Sequence, residues 1–130
     1  MKCLDTDLLV AILRGKREVC QIVEELDWES KGVTTVINVF ELFFGASKSD
    51  RRNENVAEVQ TLLEKLEILP LDNFSAKKAG EIFADLAIKG QVMDFRDAMI
   101  AGIVIENNLT LITRNIAHFS RVKNLSVETW

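Results

Sequence analysis

Two cysteines, one proline and one histidine are spread over 130 residues, and each scarcity excludes something. Cys3 and Cys20 form no CxxC pair and have no histidine beside them, which argues against a structural zinc site. Cys3 lies in an apolar segment and is expected to serve as a small core residue. Two cysteines without a secretory signal fit a reducing cytoplasm. His118 is the only histidine, so a Ser-His-Asp or Cys-His site would have to use it. A lone histidine in a turn-like segment more often packs or bonds locally. No apolar run approaches the roughly 18 residues of a membrane span, and nothing reads as a targeting peptide. A membrane protein is therefore not expected. Positive charge is also short. Sixteen Lys and Arg face 20 Asp and Glu, for a net charge of −4 and a pI near 5.1. Avid nonspecific binding to nucleic acid is not expected from that balance, although metal ions can screen the phosphates of a substrate.

What is present is a core and an alternation. With 48% hydrophobic residues and no low-complexity tract, residues 1–130 read as one ordered domain with a sizeable core. Lys2–Leu4 reads as a buried strand, Leu8–Leu13 as a helix interrupted by Gly15, and Glu18–Trp28 as a second amphipathic stretch. Gly32-Val33-Thr34 is a strand, and Thr34 or Thr35 caps a helix running to about Ala46. Ser47–Asn55 reads as an exposed link. Val56, Val59, Leu62, Leu63 and Leu66 follow at helical spacing. Ile68–Leu71 is a strand that its proline suits to a sheet edge. A helix from Asp72 ends near Gly90, and Asp94–Glu106 is the most apolar helix. Leu109–Ile112 and Leu125–Val127 close the chain as strands. Strands alternating with helices predict an α/β layered domain with a mainly parallel sheet. In such sheets the functional crevice lies beyond the carboxyl ends of the strands.

Three acids stand out against that pattern. Asp5 ends the first strand. Glu41 is the only charge between Gly32 and Ser47 and lies mid-helix among large apolar residues. Asp97 opens the apolar run 98–105, with Asp94 three residues before it on the same helix face. Each has a structural reading beside the functional one. Asp5 or Asp7 can cap the following helix, and Asp94 and Asp97 suit an N-cap and an N3 position. Glu41 has no capping role, and Lys48 is its candidate ion-pair partner. A buried carboxylate is costly unless paired, hydrogen-bonded or metal-bound. Two carboxylates about 4 Å apart repel by about 4 kcal/mol at an effective dielectric of 20, against a domain stability of about 5–15 kcal/mol. Converging acids thus call for protonation or a divalent cation, and oxygen-only ligands favour Mg²⁺ or Mn²⁺ over zinc. Thr113-Arg114-Asn115, at the end of a later strand, would meet Asp5 at the same sheet edge. Arg114 is the best-placed residue for a substrate phosphate.

In order and spacing these pieces resemble the PIN-domain family, and the length is that of its stand-alone VapC-type toxins. Leu4–Leu9, Val39–Leu42, Asp97–Ala101 and Leu111–Asn115 followed by His118-Phe119 are similar to four motifs of that family over nearly the whole chain. The resemblance implies a three-layer α/β/α sandwich around a parallel sheet and an Mg²⁺- or Mn²⁺-dependent endoribonuclease. It implies an RNA substrate, a homodimer and a cognate VapB-type antitoxin whose tail blocks the site. By position, Asp5, Glu41 and Asp97 match the three principal acids. Asp5 and Asp97 would hold the metal, with Asp94 as a further ligand, and Glu41 would orient water or take its proton. Thr113 matches a supporting polar position. The fourth acidic position falls at Asn115, which bears on a second metal. Two alternatives remain: a degenerate PIN domain that only binds RNA or a protein, and a haloacid dehalogenase-type phosphatase using Asp5-Thr6-Asp7.

Overall fold

The computed structural model describes residues 1–25 and 32–130. Five strands form one sheet: β1 (Lys2–Leu4), β2 (Gly32–Thr35), β3 (Leu66–Leu69), β4 (Thr110–Ile112) and β5 (Ser126–Glu128). Their order is β3-β2-β1-β4-β5, and every neighbouring pair is parallel. Helices α1 (Thr6–Leu13), α2 (Cys20–Glu25), α3 (Val36–Ser47), α4 (Arg52–Leu63), α5 (Asn73–Ile88), α6 (Phe95–Glu106) and the short α7 (Ile116–Phe119) connect them. A 3₁₀ turn at Arg17–Val19 leads into α2.

The central strands are buried on both faces, as a parallel sheet requires. Successive residues point to opposite sides. Cys3 and Leu111 join one core with Ile82, Leu86, Ile100 and Phe119. Leu4 and Ile112, the next residues along, join the other with Leu8, Leu42 and Val59. Helices α5, α6 and α7 thus cover one face and α1, α3 and α4 the other, which gives the expected α/β/α sandwich. The buried Cys3 thiol is pushed up to about 12, by desolvation first and by Asp5 second. It is a core residue in both position and chemistry.

Several boundaries differ from the sequence pattern. Leu66 continues the helical spacing of Leu62 and Leu63, yet it begins β3, where it pairs with Gly32. Backbone pairing to a neighbouring strand outweighs local periodicity there. The stretch 47–55 is not all link, because α4 begins at Arg52, with no side-chain cap at Arg51. Pro70 falls one residue beyond β3, which is the sheet edge. Of the two candidate threonines, Thr35 caps α3, in a capping box with Asn38. Of the two candidate aspartates, Asp5 caps α1. The part of the second amphipathic stretch at 26–28 lies outside the described residues. No described helix is long and apolar enough to cross a membrane.

The chain runs outward from β1 to β2 and β3, then returns to the other side of β1 for β4 and β5. The reversal between β1 and β4 is a topological switch point, where a crevice opens at the strands' carboxyl ends. Asp5 follows β1 and Thr113 follows β4, and Asp5 N–H donates to Ile112 O at 3.1 Å.

Candidate active site

Asp5 is the most constrained acid. It is 7% exposed and caps α1, its Oδ1 accepting from Thr6 N–H at 2.9 Å. The same oxygen accepts from Asn38 Nδ2 at 2.9 Å, and Oδ2 accepts from the Thr113 hydroxyl at 2.7 Å. Burial raises its pKa. The bonds from Thr113, Thr6 and Asn38 oppose that rise, and Asp7 adds to it.

Asn38 ties Asp5 to Glu41. It is fully buried, and its Oδ1 accepts from the Thr35 hydroxyl at 2.7 Å, which directs the amide nitrogen to Asp5 and to Thr6 Oγ1 at 2.8 Å. Thr6 in turn donates its hydroxyl proton to Glu41 Oε1 at 2.8 Å. Glu41 lies one turn after Asn38 on the same face of α3. Burial raises its pKa, Thr6 opposes, and Asp5 and Asp97 push it further up. Its ion-pair partner is Arg96 Nη1, at 3.8 Å. The expected Lys48 instead sits over the Phe44 ring, 4.9 Å from its centroid.

Asp97 occupies the first turn of α6, half-buried. Burial raises its pKa first, Asp5 and Asp94 raise it further, and His118 and Arg96 lower it. Asp94, the N-cap of α6, is exposed and otherwise engaged. Its carboxylate accepts from Arg96 N–H at 2.8 Å, from Nε at 3.2 Å and from Nη2 at 2.9 Å. Those bonds lower its pKa. The acids predicted together therefore divide. Asp5 raises both Glu41 and Asp97, and Asp97 raises Glu41, whereas Asp94 faces a guanidinium.

The turn after β4 completes the crevice. Thr113 is fully buried, and its Oγ1 also accepts from Asn115 N–H at 3.0 Å. Asn115 stands at the start of α7 without capping it. Arg114 is bound within the protein. Its N–H donates to Asp7 at 2.8 Å, Nε to Trp130 O at 2.9 Å and Nη2 to Glu18 at 2.7 Å. Asp7 accepts from Trp130 Nε1 as well, so it is not poised as the second acid of a phosphatase pair. Sequence pattern does not single out Thr6, Asn38 or Arg96. The signal for Asn38 is an uncharged polar residue one helical turn before Glu41, inside an apolar run.

Asp5, Glu41 and Asp97 offer a metal only oxygen donors, a set that suits Mg²⁺ or Mn²⁺. No three of the described His, Cys, Asp and Glu residues are grouped so as to enclose a metal ion. An ion that keeps several waters and takes one or two carboxylates fits such an open set. Burial first, and neighbouring acids second, push these acids up, a cost that a cation would relieve.

Residues 2–125 match the PIN domain family. The chain is 33% identical to the tRNA(fMet)-specific endonuclease VapC of Salmonella typhimurium, over 98% of this chain and 96% of that protein. It is 34% identical to ribonuclease VapC2 of Rickettsia felis with the same coverage. Among solved structures it resembles VapBC2 from Rickettsia felis bound to a DNA fragment from their promoter, with a TM-score of 0.91, 29% identity, and 99% and 98% of the two chains covered. DNA-bound VapBC from Salmonella typhimurium gives a TM-score of 0.89 at 31% identity, covering 99% and 97%. The chain belongs to the PIN domain family, among its VapC ribonucleases.

Proposed function

We propose that this VapC-type ribonuclease hydrolyses RNA phosphodiester bonds in the crevice of Asp5, Glu41 and Asp97, with Mg²⁺ or Mn²⁺ held chiefly by Asp5 and Asp97. The observation that supports the reading is the hydrogen-bonded line from Asp5 through Asn38 and Thr6 to Glu41, with Asp97 in the first turn of α6 close enough to push Glu41 up. A bound divalent ion supplies Lewis-acid polarisation of the phosphate and a more nucleophilic water. Asn38 and Thr113 fix the Asp5 carboxylate from both sides. Glu41, aimed by the Thr6 hydroxyl, orients the attacking water or takes its proton. Arg96 limits the repulsion on Glu41 and Asp97 and borders the place where a phosphate would lie. Asp94 serves through Arg96 rather than as a ligand. Asn115, being neutral, leaves one principal metal position.

A groove of about 350 Å³ leads from Glu41 between α1, α3 and α4, with Arg14, Lys48 and Asn55 on its walls. The named relatives solved as VapBC complexes support a VapB-type antitoxin as partner and a toxin–antitoxin role. Phe40 and Phe44, stacked and more than half exposed on α3, supply apolar surface for a homodimer.

The test is incubation of the pure protein with mixed RNA oligonucleotides in Mn²⁺ or EDTA, beside Asp97→Asn. Cleavage should need Mn²⁺ and fall by roughly 10²-fold or more in the variant. Cleavage persisting in EDTA and in Asp97→Asn would sink the assignment. RNA binding without cleavage would identify a degenerate binding module.

A further inference from the structure

Asp7 is an acid held by three donors, none of them a Lys side chain or a guanidinium. Oδ2 accepts from Arg114 N–H at 2.8 Å and from the Thr113 hydroxyl at 3.2 Å, and Oδ1 accepts from Trp130 Nε1 at 3.2 Å. The Arg114 guanidinium lies over the Trp130 ring, 3.6 Å from its centroid, and returns a bond to the Trp130 carbonyl at 2.9 Å. Residues from α1, from the turn after β4 and from beyond β5 are thus closed into one ring of contacts. Its outer ion pair, Arg114 with Glu18, is about half exposed on both sides and adds little by itself.

The ring meets the active site at a single proton. Thr113 has one hydroxyl hydrogen, and two carboxylates compete for it: Asp5 at 2.7 Å and Asp7 at 3.2 Å. The shorter contact gives Asp5 the proton, and the Arg114 N–H bond to Asp7 fixes the turn from which Thr113 reaches it. We propose that Trp130 is a positioning residue. With Asp7 it clamps the turn 113–115, and the clamp holds Thr113 against the Asp5 carboxylate. This rests on the reading of Asp5 as the anchor of the nuclease site. It also gives Arg114 a structural task in place of a phosphate contact. The clamp is separable from the fold, because Thr113 N–H stays bonded to Glu128 O at 2.9 Å and Asp5 N–H to Ile112 O.

The experiment measures kcat and KM for the RNA oligonucleotide the wild type cleaves fastest, in Mn²⁺. Variants are Trp130→Ala, Trp130→Phe, Asp7→Asn and the double Trp130→Ala/Asp7→Asn, with Asp5→Asn alongside. Amide hydrogen exchange is followed in residues 113–115. Small misplacements of a reacting group cost rate rather than affinity. Trp130→Ala should lose about tenfold in kcat with KM within about twofold, and exchange at Arg114 and Asn115 should quicken. Trp130→Phe, which keeps the ring under Arg114, should recover most of the loss. The double variant should fall no further than the worse single one, because both act through one clamp. Asp5→Asn inactive with Trp130→Ala at the wild-type kcat overturns the clamp and leaves the site reading standing. Asp5→Asn still active overturns the site reading. Exchange quickened evenly across the sheet would mean a merely structural residue and overturn the clamp. If Trp130→Ala does not fold, the clamp is overturned by Asp7→Asn cleaving at the wild-type rate with unchanged exchange at Arg114 and Asn115.

Discussion

Helix α6 takes part in two regions of opposite design. In its middle it presses against α5 so closely that a Cβ at Gly102 would stand 2.6 Å from Ser75 O and 2.9 Å from Ala79 N. The α5 cap there is fully satisfied: Asp72 accepts from Ser75 N–H at 2.8 Å, and Ser75 Oγ accepts from Asp72 N–H. Five residues earlier, the first turn of α6 places Asp97 among other acids. The packed region lowers the pKa of its carboxylate, Asp72, through the Ser75 bonds. The crevice raises those of Asp5, Glu41 and Asp97. In the packed region the donors outweigh a small desolvation, whereas in the crevice burial outweighs the donors that Asp5 and Glu41 receive.

Two sets of carboxylates respond to pH with opposite sign. Asp72 and Asp94 have lowered values in the folded state. Their contribution is present above the ordinary carboxylate range and is lost as pH falls through the lowered values. The crevice acids have raised values. Their folded state binds more protons than the unfolded chain, so stability is greatest below the ordinary range and falls as pH rises through the raised values.

The largest way to break the comparison within the packed region is Gly102→Ala. Overpacking against backbone atoms should cost about 2 kcal/mol and lower Tm by roughly 8 °C. The rate per folded molecule should stay unchanged, as checked by thermal unfolding and by cleavage well below Tm. A variant that melts as the wild type does would mean that the helices part at no cost. A smaller effect sharpens the other side. Arg96→Gln removes the positive charge that lowers the pKa of Glu41 and Asp97. The acidic limb of the cleavage pH profile should move to higher pH, with the plateau rate within about twofold. An unmoved limb would show that Arg96 does not act on the site.

The crevice is legible in the sequence through position more than through any single residue. Asp5 and Thr113 are readable because a strand end in a parallel sheet is a place, and the order of the elements puts both strands next to the switch point. Asp97 and Asp94 are readable as a pair on one helix face, but not their division of labour. That depends on Arg96, whose side chain turns back on Asp94. The partner of Glu41 is not readable. Lys48 is two turns away on the same helix, whereas Arg96 comes from a helix some 50 residues later. Asn38 is hidden because an apolar run masks a neutral polar residue, and its value lies in orienting two carboxylates at once. Helical spacing misassigns Leu66 because β2 supplies backbone partners that no local pattern records.

Burial first and neighbouring acids second raise Asp5, Glu41 and Asp97, and on the proposed reading a divalent cation relieves that cost. Thermal unfolding at pH 7.5, with and without Mn²⁺, for the wild type and Asp97→Asn tests it most directly. The wild type should gain stability from Mn²⁺, about 2.7 kcal/mol at a hundredfold excess over Kd. Asp97→Asn without metal should melt above the metal-free wild type and gain little from Mn²⁺. A wild type indifferent to Mn²⁺, or a metal-free Asp97→Asn that melts lower, would contradict the claim.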